Sequence, residues 1–276
     1  MKIAVLGLNE AALVAVDAIQ SRNHDPILVI PDDTPPDFEV SPLNELNFGY
    51  PGIEEDVVEF HVHGRLERWL TDHPQMDKAG FHAFKGKKPL TSNGKIIKHL
   101  RDGVMDEGVQ AVMWPVGEIT LSDLLLDSVD QVINTLDRAR WCGEDDHTFI
   151  ATRLWWSTSK GPKIESGNVV YNADNAPSWA ITSNIDGRNV TIWDQQPPYD
   201  DVHTYDIPTK MACSCDTSLV IDLHLGRWAT YRPISLSRTF EAVLEFLQTQ
   251  HELETINADT LSDMEPIDDN PSSSGT

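Results

Sequence analysis

The sequence predicts an α/β fold: a parallel nucleotide-type unit at the N-terminus, with an antiparallel sheet inserted further along. Three observations carry this expectation. The first 33 residues run as apolar strand, glycine turn, helix-periodic segment, second apolar strand and acid. From about residue 147 the chain becomes a succession of short aromatic-rich runs. Near the C-terminus a short strand, a Gly-Arg pair and an amphipathic helix follow one another.

The opening unit is the most explicit. Residues 2–6 are an apolar run suited to a buried strand, and Gly7 supplies a turn. Ala12, Leu13, Val16 and Ile19 then recur at helical spacing, residues 27–30 form a second apolar run, and Asp32 and Asp33 close it. This is the order of a dinucleotide-binding βαβ unit. Such a unit seats a pyrophosphate at the helix N-terminus, where free N–H groups and the helix dipole favour negative charge. The acid after the second strand then binds the adenosine ribose.

The fingerprint G-x-G-x-x-G/A takes the form Gly7-Leu8-Asn9-Glu10-Ala11-Ala12. Gly7 allows the tight turn and Ala12 is small enough for close helix–strand packing. Asn9, however, stands where bare backbone should approach the phosphate, and Glu10 adds negative charge beside it. Asp32 follows Ala12 by 20 residues, as the fingerprint expects.

With 276 residues the chain can bury a sizeable core in one large or two interlocked domains. Forty per cent hydrophobic residues and a mean hydropathy of −0.33 fit a soluble protein. The N-terminal apolar stretch is interrupted by Asn9, Glu10 and Asp17, so it reads as fold rather than as a leader. Three cysteines (Cys142, Cys213 and Cys215) are too few for a disulfide framework and suit a cytoplasmic setting. A net charge of −23 argues against a nucleic-acid partner, which requires a basic stripe. A small-molecule ligand is compatible with it, and no run is long enough to span a membrane.

Further along, residues 34–56 lack periodicity and read as a long connection. A strand is expected over 57–62, part of a helix over 66–70, and loop over 71–94. A helix is expected over 92–106, with Ile96, Ile97, Leu100 and Val104 on one side. Strands are expected over 109–114, 118–121 and 129–136. The inserted sheet begins near 147 and its face is aromatic, because five of the eight tryptophans lie between 141 and 193. A Pro- and Asp-rich loop is expected over 194–210 and a last strand over 218–223. An amphipathic helix, marked by Phe240, Val243, Leu244 and Leu247, follows. The tail from Glu252 carries seven acids and no Lys or Arg, which predicts disorder.

Several blocks carry a family likeness. Leu225-Gly226-Arg227-Trp228-Ala229-Thr230-Tyr231-Arg232, followed by a helix, resembles the C-terminal flavin segment of UDP-galactopyranose mutases. It also resembles that of the wider FAD-dependent amine oxidase and protoporphyrinogen oxidase superfamily. The segments 130–136, 167–174 and 179–182 are similar to other strands of those proteins. The resemblance implies a Rossmann-like FAD/NAD(P)-binding domain from residues 1–146 and 216–250, an antiparallel substrate domain from 147–215, and an acidic tail from 251–276. It implies FAD bound in extended form, with the pyrophosphate near Gly7, Asn9 and Ala12 and the ribose on Asp32 or Asp33. Gly226, Arg227, Thr230 and Tyr231 would lie at the flavin end, with Ser235 and Ser237 at the N-terminus of the last helix. Trp155, Tyr171 and Trp179, together with Trp156 and Trp193, would line a substrate cavity or else form the core of the sheet. Ala180 stands where the family often has a substrate-binding arginine, which removes the expectation of a pyrophosphate-bearing sugar.

The expected activity is a flavin-dependent oxidoreductase or a mutase-like isomerase. Alternatives are an NAD(P)-binding dehydrogenase-like protein and a non-catalytic binding protein of the same fold. No catalytic acid or base is assigned from sequence. His61 and His63 on one strand face are read as solvated histidines, the C-x-C of Cys213 and Cys215 as free thiols and the acidic run 144–146 as a solvated turn, so no metal site is expected. Cys142 is placed near the cofactor by its position alone.

Overall fold

The computed structural model describes residues 1–33, 41–81, 84–104, 108–116, 120, 129–142, 147–174, 179–213 and 221–262. The chain forms two sheets. The first is parallel, with strands β1 (Lys2–Leu6), β2 (Asp25–Pro31), β6 (Gln110–Trp114), β7 (Gln131–Asn134) and β13 (Leu223–His224). Their spatial order is β13-β7-β1-β2-β6. Because both faces of this sheet are covered, its central strands are apolar throughout.

Ile3 and Val5 point to one side. They pack there against helices α1 (Glu10–Gln20), α4 (Asn93–Val104) and α6 (Leu236–Ser262), whose Ile19, Ile96, Leu100, Phe240 and Val243 are buried. Ala4 and Leu6 point to the other, against Val29, Trp114 and Val132. The predicted βαβ opening, the helix near 92–106 and the returning C-terminal helix are therefore all present, and the fold class is α/β with a Rossmann-like parallel sheet.

The second sheet is mixed and eight-stranded. It contains β3 (Leu46–Asn47), β4 (Asp56–His63), β5 (Gly86–Ser92), β8 (Thr148–Ser157), β9 (Asn168–Asn172), β10 (Ile181–Ile185), β11 (Arg188–Trp193) and β12 (His203–Ala212). Their order is β12-β8-β11-β10-β9-β4-β5-β3, antiparallel except where β4 runs parallel to β9. Helices α2 (Leu66–Asp72) and α3 (Pro74–Lys78) lie against it through Trp69 and Met76.

This sheet is not confined to residues 147–215, since three of its strands come from residues 46–92. The segment 71–94 is not loop but holds α3 and β5. Pro89 obscured β5, yet β5 has only the two-residue β3 on its far side, where a missing N–H costs little. In the same way, 194–210 is not all loop, because β12 begins at His203. Pro208 sits at a register irregularity in this edge strand, a position that tolerates proline. The expected strand over 118–121 lies almost wholly outside the described residues, and that over 218–223 is described only from 221, where β13 begins at Leu223. The tail expected to be disordered from Glu252 instead continues α6 to Ser262, and residues 263–276 lie outside the described residues.

Candidate functional site

The turn after β1 is built for close approach. Gly7 has φ +114°, and a Cβ there would stand 2.7 Å from Thr135 Oγ1 and 2.9 Å from Leu136 Cδ2. The chain leaving β7 thus crosses over the turn, and only glycine fits. Gly7 N–H donates to the Val29 carbonyl at 2.9 Å, tying β1 to β2.

Asn9 caps α1. Its Oδ1 accepts the Ala12 N–H at 3.0 Å, and its Nδ2 donates to the Thr135 carbonyl at 3.1 Å. The side chain that sequence placed in the path of a phosphate is folded onto the helix end, where it satisfies one otherwise unpaired N–H. Ala12 is fully buried, as the fingerprint requires.

The C-terminal Gly-Arg turn meets this helix end directly. Gly226 has φ +82°, and a Cβ there would lie 2.5 Å from Ala11 Cβ. Arg227 opens the short helix α5 (Arg227–Thr230) and makes a two-pronged ion pair with Glu45, with Nη2 to Oε2 at 2.8 Å and Nη1 to Oε1 at 2.5 Å. Its Nε donates to the Ile234 carbonyl at 3.3 Å. Burial opposes the guanidinium's charge, but the Glu45 carboxylate outweighs it and holds the pKa above its ordinary value.

Glu10, on the first turn of α1, accepts the Ser41 N–H at 2.8 Å. Burial, and next the neighbouring Glu45 carboxylate, push its pKa from 4.5 to about 7. Tyr205 on β12 is also held well above its usual range, by burial first and by Glu45 second.

These groups line a cavity of about 470 Å³ between the helix end and β12, bounded by Asn9, Glu10, Ala11, Glu45, Tyr205 and Arg227. A second cavity of about 350 Å³ shares Glu45, Arg227 and Ile234 with it and opens over the second sheet. Its walls are apolar and aromatic, including Phe48, Phe60, Phe84, Leu90 and Tyr171. Phe84 packs edge-on against both Phe48 and Phe60. A polar compartment at a helix N-terminus thus adjoins an apolar one, with Glu45, Arg227 and Ile234 as common walls.

Not every residue singled out from sequence reaches these cavities. Asp32 Oδ1 accepts the Val116 N–H at 3.1 Å, and Asp33 is paired with Arg140 at 2.9 and 3.2 Å, both outside the cavity walls. Thr230 bonds back to the Gly226 carbonyl and Tyr231 to Asp137, so they hold the turn without lining it. The N-terminus of α6 is covered by Asn47, whose Oδ1 accepts the Leu236 N–H at 2.9 Å, and by Ser235, which accepts the Arg238 N–H. Of the three aromatic residues, only Tyr171 lines the apolar cavity. Trp155 borders a separate recess with Asp194, and Trp179 packs edge-on against His63.

Glu45, Asn47 and Tyr205 were missed. Glu45 and Asn47 lie in a stretch without periodicity. Tyr205 lies in a strand disguised by Pro208, and no sequence signal marked it as a cavity residue.

The cavity walls can be set against the flavin dinucleotide expected from sequence. A polar space at the α1 N-terminus suits a pyrophosphate, the adjoining apolar space suits a flat ring system, and Arg227 lies where they meet. The acids after β2 face other partners, so the expected ribose contact with Asp32 or Asp33 is not made, and the carboxylates in the cavity wall are those of Glu10, Glu45 and Asp206.

No protein-family model and no curated protein matches the sequence. Solved structures do resemble the fold. An oxidoreductase from Methanosarcina mazei aligns with TM-score 0.50 and 9% identity over 90% of this chain and 100% of its own. Aklavinone-11 hydroxylase, solved with FAD and aklavinone, aligns with TM-score 0.49 and 9% identity over 93% and 62%. The peptidyl tryptophan dihydroxylase QhpG aligns with TM-score 0.41 and 14% identity over 82% and 60%. The chain spans about three-fifths of the length of these two hydroxylases. At such identities the likeness is one of fold. Among the described residues no helix is long and apolar enough to cross a membrane.

Proposed function

We propose that this chain binds FAD in an extended form across the two adjoining cavities and acts as a flavin-dependent oxidoreductase on a small molecule. The observation that carries this reading is the meeting of Gly226 and Arg227 with the α1 N-terminus. It joins two sequence-distant halves into one polar compartment that adjoins an apolar one. Asn9, Ala11, Gly226 and Arg227 would hold the pyrophosphate, and Phe60, Phe84 and Tyr171 would enclose the ring.

When bound, the flavin supplies two-electron redox chemistry. The chain's own residues supply orientation and electrostatics. Arg227 contributes a fixed positive charge, oriented by Glu45. The aromatic wall excludes water from the ring. Protonated Glu10 removes a negative charge from the compartment that would receive a dianion, so proton uptake by Glu10 favours an anionic ligand. The Gly226–Tyr231 segment supports a mutase-like or amine-oxidase-like variant of this reading, and Ala180 weighs against a nucleotide-sugar substrate.

Absorption spectroscopy tests the proposal. Purified protein, or protein mixed with FAD and desalted, should show a flavin spectrum. Protein that takes up no FAD would overturn it, and uptake of NADH instead would point to a nicotinamide site.

A further inference from the structure

Outside the cavities, three soft and borderline ligands converge. Cys142 Sγ lies 3.1 Å from His147 Nδ1 and 3.7 Å from Cys213 Sγ, and all three donor atoms fall within 4.8 Å of one another. All three side chains are half-buried. The fold enforces this meeting. Thr148 and Ala212 are the terminal register pair of the β8–β12 ladder, so His147 and Cys213 flank it directly.

Cys142 is brought in by a different element, the 3₁₀ turn Arg138–Trp141 that follows the parallel sheet. That turn is well anchored. Asp137 caps it by accepting the Ala139 N–H at 2.9 Å and also accepts the Tyr231 hydroxyl at 2.8 Å. Trp141 stacks on Trp114 with ring centroids 5.7 Å apart.

We infer that Cys142, His147 and Cys213 form a binding site for a zinc-type cation. Tetrahedral zinc with metal–sulfur bonds of about 2.3 Å separates two thiolate sulfurs by about 3.8 Å, close to the observed spacing of this pair. A Sγ–N pair around the same ion stands about 3.6 Å apart, so binding opens the Cys142–His147 contact by about half an ångström.

Two thiolates and a neutral imidazole balance the charge of a divalent ion, which suits a half-buried site. The soft ligand set favours Zn²⁺ over Mg²⁺ or Ca²⁺. Binding releases the two thiol protons, so affinity falls as pH is lowered. The ion would fasten the turn after β7 to the end of the β8–β12 ladder, and so join the two sheets at a point remote in sequence from the Gly226 turn.

Titration with Co²⁺ under reducing, anaerobic conditions is the test. The full chain should take up one ion with thiolate-to-cobalt charge-transfer absorption, and Zn²⁺ should displace it. Cys142→Ser, Cys213→Ser and His147→Gln should each weaken uptake by at least about 100-fold, with folding checked by circular dichroism. The pair His61→Ala/His63→Ala should leave it unchanged.

Absence of charge-transfer absorption would overturn the assignment. So would uptake that survives the cysteine substitutions but not the His61/His63 pair. A reduced protein that binds no metal yet forms a Cys142–Cys213 disulfide on air oxidation would also overturn it. None of these readings depends on flavin.

Discussion

The two adjoining cavities differ in how they are held. The apolar chamber over the second sheet is a matter of packing, with Phe60 and Leu90 almost wholly buried and Phe48, Phe60 and Phe84 meeting edge to face. The compartment at the α1 N-terminus is a matter of charge, with Glu10, Glu45 and Arg227 sharing a small space. The first should respond to volume and ignore pH, and the second the reverse. Arg227 belongs to both, with Glu45 and Ile234, and is the cation among the shared residues.

The largest expected effect lies in the chamber. Phe60→Ala should cost about 3–5 kcal/mol of unfolding free energy, measured by denaturant midpoints, with the same loss at every pH where the protein is folded. Arg227→Ala should cost about 2–4 kcal/mol, because it leaves Glu45 and Glu10 without their cation. It should also weaken FAD binding by at least about tenfold. A loss from Arg227→Ala as insensitive to pH as that from Phe60→Ala would break the distinction between the cavities.

Glu10→Gln sharpens it. A carboxyl held at about pH 7 in the folded state and at 4.5 when free favours its protonated form on folding. It imposes no penalty below 4.5, a growing one as pH rises towards 7, and a constant one above. Replacing it should therefore raise stability above neutrality by up to about 3 kcal/mol and do little near pH 4.

His224, on β13 just before the Gly226 turn, is pushed the other way. Burial, and next the charge of Arg138, lower its pKa to about 4. Its contribution is lost as pH falls from 6.5 towards 4, so His224→Asn should flatten the acid limb of the stability curve. The smallest effect is expected at the exposed Asp33–Arg140 pair, where Asp33→Ala should change stability by less than about 1 kcal/mol.

What was legible in the sequence divides along similar lines. The parallel sheet and its helices were readable because local periodicity and burial agree. Ile3 and Val5 alternate with Ala4 and Leu6, and the stripe from Ala12 to Ile19 meets Ile96 and Phe240. Gly7 and Gly226 were readable because positive φ and close contact demand glycine, and Ala12 because a small residue is buried there.

Glu45 and Asn47 were not, because they are positioned by contacts with Arg227 and the N-terminus of α6, at separations of 182 and 189 residues. Asp32 and Asp33 fit the fingerprint in spacing, but Val116 and Arg140 had already claimed them. The Cys142–His147–Cys213 cluster was hidden because the register of β12, a strand masked by Pro208, is what brings Cys213 to the other two.

The most direct test of the central claim is a fluorescence titration of the full chain with FAD at about pH 6 and about pH 8, repeated on Glu10→Gln. A single extended site governed by Arg227 and Glu10 predicts one FAD per chain, bound more tightly at the lower pH, with Glu10→Gln binding equally at both. Failure of FAD to bind at either pH, or a pH dependence that persists in Glu10→Gln, would contradict it.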